Sequence, residues 1–276
     1  MDLLSLTKGI LENHGIKPNT ELDQHFMVNE NVLEKIVKEA DIKTGENVLE
    51  IGPGTGNLTR LLSKEKGNVT IIETDKVLFT LLQTWFSGKK IHLINGNGLE
   101  YVRKNDFDKL VSNIPYAICE PLIKELVKKD FGKAVLTIPS RFFARLTERG
   151  TMLSLITRCF FSAELVCSVG RDDFYPQPET DSVVVSIRKL DLDDYREKPL
   201  EFLFREIMLQ RTKKLGNALM EAIINLKMFQ GSPTTKRKAR SAIKTMGIKR
   251  SLSEKKVRDM DHWDFELLEK KLDFVF

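Results

Sequence analysis

Five short apolar runs constrain this chain more than any other feature: "ENVLEIG" (46–52), "NVTIIE" (68–73), "KIHLING" (90–96), "KLVSN" (109–113) and "KAVLTIP" (133–139). Each is aliphatic or β-branched and stops at a Gly, Pro, Asn or acid, as buried strands do. Helix-like segments such as 56–66, 75–86 and 119–130 lie between them. Strands separated by helices pair in parallel through crossovers, so the expected fold class is α/β with a mainly parallel, doubly wound sheet. Upstream, "NENVLEKIVKEA" (29–40) puts Val32, Leu33, Ile36, Val37 and Ala40 on one helical face behind a candidate Asn29 cap.

The pattern changes after residue 160. "AELVCSVG" (163–170) and "SVVVSIRKL" (182–190) are two strands joined by "RDDFYPQPETD" without a helix, which predicts an antiparallel pair at one sheet edge. A polar linker, "DLDDYREKP" (191–199), leads into segments that all score as helix: 200–210, 213–227, 235–246 and 261–272. Two domains are therefore expected, an α/β domain over 1–192 and a small all-α domain over 198–276.

Charge separates the two segments. Residues 198–276 hold 18 Lys/Arg against 10 Asp/Glu, a net +8, whereas residues 1–197 hold 26 against 29, a net −3. A basic segment of this kind suits a polyanion, although a charge run is more often a solvated helix face. The three cysteines, Cys119, Cys159 and Cys167, have no C-x-x-C spacing and the four histidines are scattered. Neither a disulfide framework nor a zinc site is supported, no metal is expected, and the thiols read as buried small apolar groups. No apolar run approaches the ~20 residues of a membrane helix and the start of the chain lacks a signal-peptide pattern, so the expected address is cytoplasmic. A monomer is the expected state.

Candidate site residues gather at the ends of the predicted strands. "EIGPGTG" places Gly52, Gly54 and Gly56 in the turn leaving the first strand, where glycine permits close approach of a ligand; a plain tight turn would use the same residues. The spacing is not the dinucleotide fingerprint G-x-G-x-x-G, and no phosphate-binding G-x-x-x-x-G-K-[ST] is present. Glu73 ends the second strand, where an acid accepts hydrogen bonds from ribose hydroxyls. Asn97, in "INGNGLEY", occupies a Gly-flanked turn after the third strand, either beside a nucleoside's adenine or as a turn Asn in a left-handed conformation. "SNIPY" follows the fourth strand. Asn113 offers an amide oxygen to an exocyclic amine, the Ile114 carbonyl is left free by Pro115, and Tyr116 supplies a flat face for a base.

Together these motifs resemble class I S-adenosylmethionine-dependent methyltransferases, with a Rossmann-like sheet, that act on a planar nucleic-acid amine. The likeness extends to the ribosomal RNA adenine N6,N6-dimethyltransferase family: "DQHFMVNENVLEKIV" resembles its Q-[NH]-F-L motif, "FYPQPETDSVVVSI" its F-x-P-x-P-x-V-D-S-x-V motif, and "QRTKKLGNAL" (210–219) the basic start of its helical domain. The resemblance spans about residues 23–220 and is nearest the archaeal and bacterial members. It implies that Gln24, His25 and Met27 cover the cofactor S-adenosylmethionine, with Gly52 and Gly54 beneath it, Glu73 on its ribose, and Asn97 and Asn113 also against it. Asn113, Ile114, Pro115 and Tyr116 would hold the target adenine. Phe174 matches the family's second aromatic over the base; read alone, an aromatic beside two prolines is an outward-pointing loop residue or a core plug.

Two departures stand out. Asn97 occupies the place of an acid, and an amide accepts without the charge that roughly doubles such a bond. "SRFF" from Ser140 replaces the family's Gln-Lys-Glu. The implied activity is dimethylation of adenine N6 in small-subunit ribosomal RNA during ribosome biogenesis, with RNA of the immature subunit as partner. Two alternatives share the motifs: a large-subunit methyltransferase of the macrolide-resistance type, and a non-catalytic assembly or transcription factor on the same fold.

Overall fold

The computed structural model describes residues 2–20 and 23–272. In chain order the elements are α1 (Leu3–Asn13), β1 (Phe26–Met27), α2 (Glu30–Ala40), β2 (Asn47–Ile51), α3 (Asn57–Leu62), β3 (Asn68–Glu73), α4 (Lys76–Trp85), β4 (Ile91–Asn95), α5 (Gly98–Lys104) and β5 (Lys109–Asn113). Then follow α6 (Cys119–Leu126), β6 (Lys133–Pro139), α7 (Ser140–Thr147), α8 (Met152–Phe160), β7 (Phe161–Val169), β8 (Phe174–Tyr175) and β9 (Ser182–Lys189). The chain ends with α9 (Pro199–Met208), α10 (Leu215–Phe229), α11 (Lys236–Thr245), α12 (Arg250–Ser253) and α13 (His262–Leu272).

Two compact units emerge, one of residues 1–146 with 162–189 and the other of 147–161 with 190–276. The segment 147–161, which contains α8, thus groups with the helices after 190, a grouping that a single boundary at 192–198 does not describe. Residues 273–276 of the expected helical segment lie outside the described residues.

The first unit is built on a seven-stranded sheet in the order β4-β3-β2-β5-β6-β9-β7. Strands β4 to β6 pair in parallel, and β9 runs antiparallel to β6 with Val185 opposite Leu136. The class I methyltransferase sheet with its antiparallel edge is therefore present. Strand order reverses between β2 and β5, the switch point at which such sheets open a crevice. Helix α2 covers the sheet through Leu33, Ile36 and Ala40, all fully buried, and its Asn29 cap accepts from the Val32 N–H. Helices α1, α5, α7, α8 and α12 escaped the sequence reading; α7 follows a strand-like run directly and carries no clean start signal, whereas α5 has an Asn97 cap with Glu100 three residues on, in a stretch read as a turn.

The helical unit has an aromatic core. Tyr195 is buried and its hydroxyl donates to the Cys159 carbonyl at 2.6 Å. Phe202 stacks on Phe229, and Phe204 meets Phe265 edge to face. Cys119 and Cys159 are buried as expected, but Cys167, on β7, is partly exposed. No helix among the described residues is long and apolar enough to cross a membrane.

One contact at the switch point is unforgiving. A Cβ on Gly98, the first residue of α5, would lie 2.4 Å from Ile51 Cγ2 at the end of β2. Gly98→Ala is expected to lower unfolding free energy by about 1–3 kcal/mol, read as a reduced urea midpoint. Gly9→Ala, inside α1 with no atom within 4 Å of the added methyl, should raise it by about 0.5–1 kcal/mol.

Candidate active site

The turn after β2 exists because glycine permits it. Gly52, Gly54 and Gly56 have φ of 66°, 58° and 75°, the left-handed region that side chains disfavour. At Gly54 space forbids a larger residue as well, since a Cβ there would sit 2.7 Å from the Phe26 ring, whereas one on Gly52 would only touch Pro115 Cδ at 3.4 Å. Three segments, the glycine turn, "NIPY" and the entry segment 23–27, therefore converge. They enclose a cavity of about 310 Å³.

The cavity is acidic. Asp23, Glu50, Glu73 and Asp75 line it and no Lys or Arg does. Glu73 is buried and receives the N–H of Asp75 at 2.8 Å and of Gly54 at 3.2 Å; burial pushes its pKa up, with those two bonds opposing. Glu50 is 1% exposed and accepts from the Thr59 hydroxyl at 2.7 Å. Burial pushes Glu50 up to about 8, the Thr59 bond opposes this, and the charge of Glu73 adds to it. The buried hydroxyl of Thr55, also on the wall, has no hydrogen-bond partner among the described residues. A pocket of unneutralised carboxyls and open hydroxyl and amide groups fits a cationic, hydroxyl-bearing nucleoside and rejects phosphate. The sequence reading passed over Glu50; its signal was an acid inside the apolar run "VLEIG".

The entry segment is tied to the strand tips. Asp23, itself at φ 55°, accepts the Ala117 N–H at 2.9 Å. Gln24 donates to Asp75 and accepts from the Asn19 N–H. His25 Nδ1 lies 2.9 Å from the Pro176 carbonyl, which can only accept, so this nitrogen carries the hydrogen. The carbonyl of His25 accepts from Asn113 Nδ2 at 3.0 Å. With its nitrogen end held there, Asn113 has Oδ1 free to accept from another group.

The cavity brings together Gln24, His25, Met27, Gly52, Gly54, Glu73, Asn97, Asn113 and Pro115. Asn97 has an extended backbone rather than a left-handed one and caps α5, its Oδ1 accepting the Glu100 N–H at 3.1 Å. Ile114 is buried, and no backbone N–H among the described residues pairs with its carbonyl. Ser112 secures the tip from below by donating to the Ile51 carbonyl. Tyr116 stands beside the cavity rather than on its wall, its hydroxyl 2.7 Å from Ser182 Oγ and its ring near-parallel to that of His25. Burial raises the Tyr116 pKa.

Phe174 differs from the outward-pointing reading. It is 2% exposed, in the core with Leu3, Met27 and Val32, and does not line the cavity. The cause is the small antiparallel pair β1–β8, which sets Phe174 opposite Met27 and Tyr175 opposite Phe26. Alternation along β8 turns Phe174 inward and leaves Tyr175 half-buried beneath the Lys8 ammonium. Ser140 and Arg141 open α7, where the Ser140 N–H donates to the Asp181 carbonyl.

Comparison with known proteins agrees with this geometry. A family model for ribosomal RNA adenine dimethylase matches residues 15–253. A curated relative from Pyrococcus abyssi, named "Probable ribosomal RNA small subunit methyltransferase A", is 34% identical over 219 residues, covering 77% of this chain and 80% of its own length. One of the same name from Methanococcoides burtonii is 34% identical over 224 residues, 78% of this chain and 82% of its own. Among solved structures, a dimethyladenosine transferase from Plasmodium falciparum has a TM-score of 0.59 and 25% identity, with 91% of this chain and 98% of that chain covered. The 23S rRNA methyltransferase ErmE has a TM-score of 0.55 at 22% identity over 90% of this chain and 99% of that one, a likeness of fold. By its motifs, its sheet and its relatives, this chain belongs to the ribosomal RNA adenine dimethylase family.

Proposed function

We propose that this protein transfers methyl groups from S-adenosylmethionine to N6 of adenine in small-subunit ribosomal RNA, dimethylating it as the subunit is assembled in the cytoplasm. The observation that carries this reading is the Asn113 amide, pinned through Nδ2 to the His25 carbonyl at the mouth of a carboxyl-lined cavity. The names of the archaeal relatives support the small subunit as substrate.

In this reading Glu73 holds the ribose hydroxyls, Asn97 and the backbone near Met27 meet the adenosine, and Gly52 and Gly54 let the backbone pass close beneath. Asp23 favours the positive charges, and buried Glu50 does so once a bound cation draws off its proton. Bound there, S-adenosylmethionine supplies a methyl group on a sulfonium, a good leaving group. The chain's own contribution is position and polarity. Asn113 Oδ1 and the Ile114 carbonyl accept the two N6 hydrogens, which draws the nitrogen lone pair out of the ring and aims it at the cavity. Tyr116 stacks on the base, and its bond to Ser182 fixes the ring. The displaced N6 proton leaves to water.

The helical unit supplies the RNA contacts. Of its bases, Lys213, Lys214, Lys255 and Arg258 are matched by Glu221, Glu254, Asp264 and Asp259. Lys236, Arg237, Lys238, Arg240, Lys249, Arg250 and Lys256 form no ion pair among the described residues, and the stretch 232–253 contains no acid. Three bases fill the first turn of α11, where the helix dipole disfavours them, so phosphate is the partner that relieves their repulsion.

Methyl transfer from labelled cofactor into undermethylated small-subunit particles should fall about 100-fold or more in Asn113→Ala and Tyr116→Ala, and little in Tyr116→Phe. No incorporation by the wild type would refute the reading, and preference for large-subunit particles would redirect it. Replacing Lys236, Arg237 and Lys238 by Gln should flatten the slope of log affinity for RNA against log salt by about 3. The same change should slightly stabilise the folded protein, by about 0.3–1 kcal/mol.

The Glu50 carboxyl makes a pH-dependent signature. Its pKa is higher folded than the ordinary 4.5, so folding favours the protonated form, and stability is lost as pH rises from about 4.5 to about 8. Unfolding free energy of the wild type relative to Glu50→Gln should therefore decline across that window, on the order of a few kcal/mol, and level off above it. Parallel curves for the two proteins would show that Glu50 is ionised in the folded state throughout.

A further inference from the structure

We propose that Asn97 turns a hydrogen-bond donor, not an acceptor, toward the purine of the cofactor, so that this chain holds S-adenosylmethionine without reading its 6-amino group; this rests on the cofactor reading above. An asparagine side chain has one accepting end and one donating end, and its neighbours decide which is left for a ligand. Asn97 is on the cavity wall. Its Oδ1 accepts the Glu100 N–H at 3.1 Å, a group that can only donate, so the oxygen is committed to the start of α5. Nδ2 has no hydrogen-bond partner among the described residues. Where a carboxylate in this cap would keep a second oxygen for a ligand, Asn97 has an N–H group.

The surrounding turn is tied down on both sides. Asn95 pairs with Glu73 across β3 and β4, and its Nδ2 donates to the Glu73 carbonyl at 2.8 Å. The Gly96 N–H donates to the same carbonyl at 3.0 Å, and the Thr74 hydroxyl donates to the Gly96 carbonyl at 3.1 Å. Beyond Asn97, Gly98 is held so close to Ile51 that no Cβ would fit. A nucleoside whose ribose rests on Glu73 therefore brings its purine past a fixed amide. An amino group there would set N–H against N–H, whereas the ring nitrogens of the purine accept. Asn113 is the reverse case, with Nδ2 tied to the His25 carbonyl and Oδ1 free. The two asparagines thus treat two adenines differently: the target's amine meets an acceptor, and the cofactor's amine meets a donor.

The test measures, by calorimetry, binding of S-adenosylhomocysteine and of its analogue with unsubstituted purine in place of adenine, to the wild type and to Asn97→Asp. The carboxylate can still cap α5 and restores an accepting oxygen toward the ligand. Removing the amino group should weaken binding to the wild type about 2-fold or less, because no acceptor is lost to it. In Asn97→Asp the same removal should weaken binding about 10- to 100-fold, the loss of a bond to a charged acceptor. Each ratio is taken within one protein, so a change in overall charge or folding at position 97 cancels. A wild type that loses 10-fold or more without the amino group would overturn the proposal, and so would equal ratios in the two proteins, which would mean that residue 97 does not meet the purine edge. Either result, with S-adenosylhomocysteine still bound, leaves the cofactor reading standing, whereas no binding of S-adenosylhomocysteine by the wild type would overturn both.

Discussion

The hydrogen bond from Asn113 Nδ2 to the carbonyl of His25 is the constraint on which the site depends. It spans 88 residues and draws the entry segment down onto the tip of β5. With the Asp23 bond to the Ala117 N–H beside it, it roofs the crevice that the strand-order reversal opens between β2 and β5. One glycine follows from that closure: Phe26 of the entry segment lies against Gly54, so any side chain at that turn position would collide with the roof. The same bond decides which end of the Asn113 amide is left to accept. Cavity wall and reactive geometry are one structure.

Charge divides the labour of a chain whose net charge is only +5. The cavity concentrates carboxyls without a balancing Lys or Arg, and burial makes Glu50 reluctant to ionise until a cation is present. The helical unit does the reverse, leaving a run of bases on α11 and α12 unmatched while pairing most of its other cations internally. One surface thereby suits a small cation and the other a polyanion.

Much of this was legible in the sequence because it is local. The β2 to β6 strands are apolar runs with clear stops, and the Gly52–Gly56 turn, Glu73 and Asn113 sit at fixed distances from them. The Asn29 cap was likewise readable three residues from its donor, the Val32 N–H. What escaped was long-range. Phe174 looks like an exposed loop residue until β8 pairs with β1 and turns it inward, a contact across about 150 residues. Glu50 was passed over because it lies inside the apolar run of β2 rather than at its end, and its burial depends on the neighbouring strands and on Thr59 from α3. The role of Ser182, holding the Tyr116 hydroxyl, likewise needs β9 folded back beside β6. The basic residues of the helical unit that are matched by acids could not be told from the unmatched ones by counting.

The central claim is that the clamp around Asn113 presents an adenine amine to a methyl donor held in the acidic cavity. Its most direct measurement is the chemical identity of the product. Small-subunit particles lacking the modification would be incubated with the protein and methyl-labelled S-adenosylmethionine, and the RNA digested to nucleosides and separated by chromatography. The account predicts label in N6-methyladenosine early and in N6,N6-dimethyladenosine at completion. Label in any other nucleoside, or none in RNA while the cofactor still binds, would contradict it.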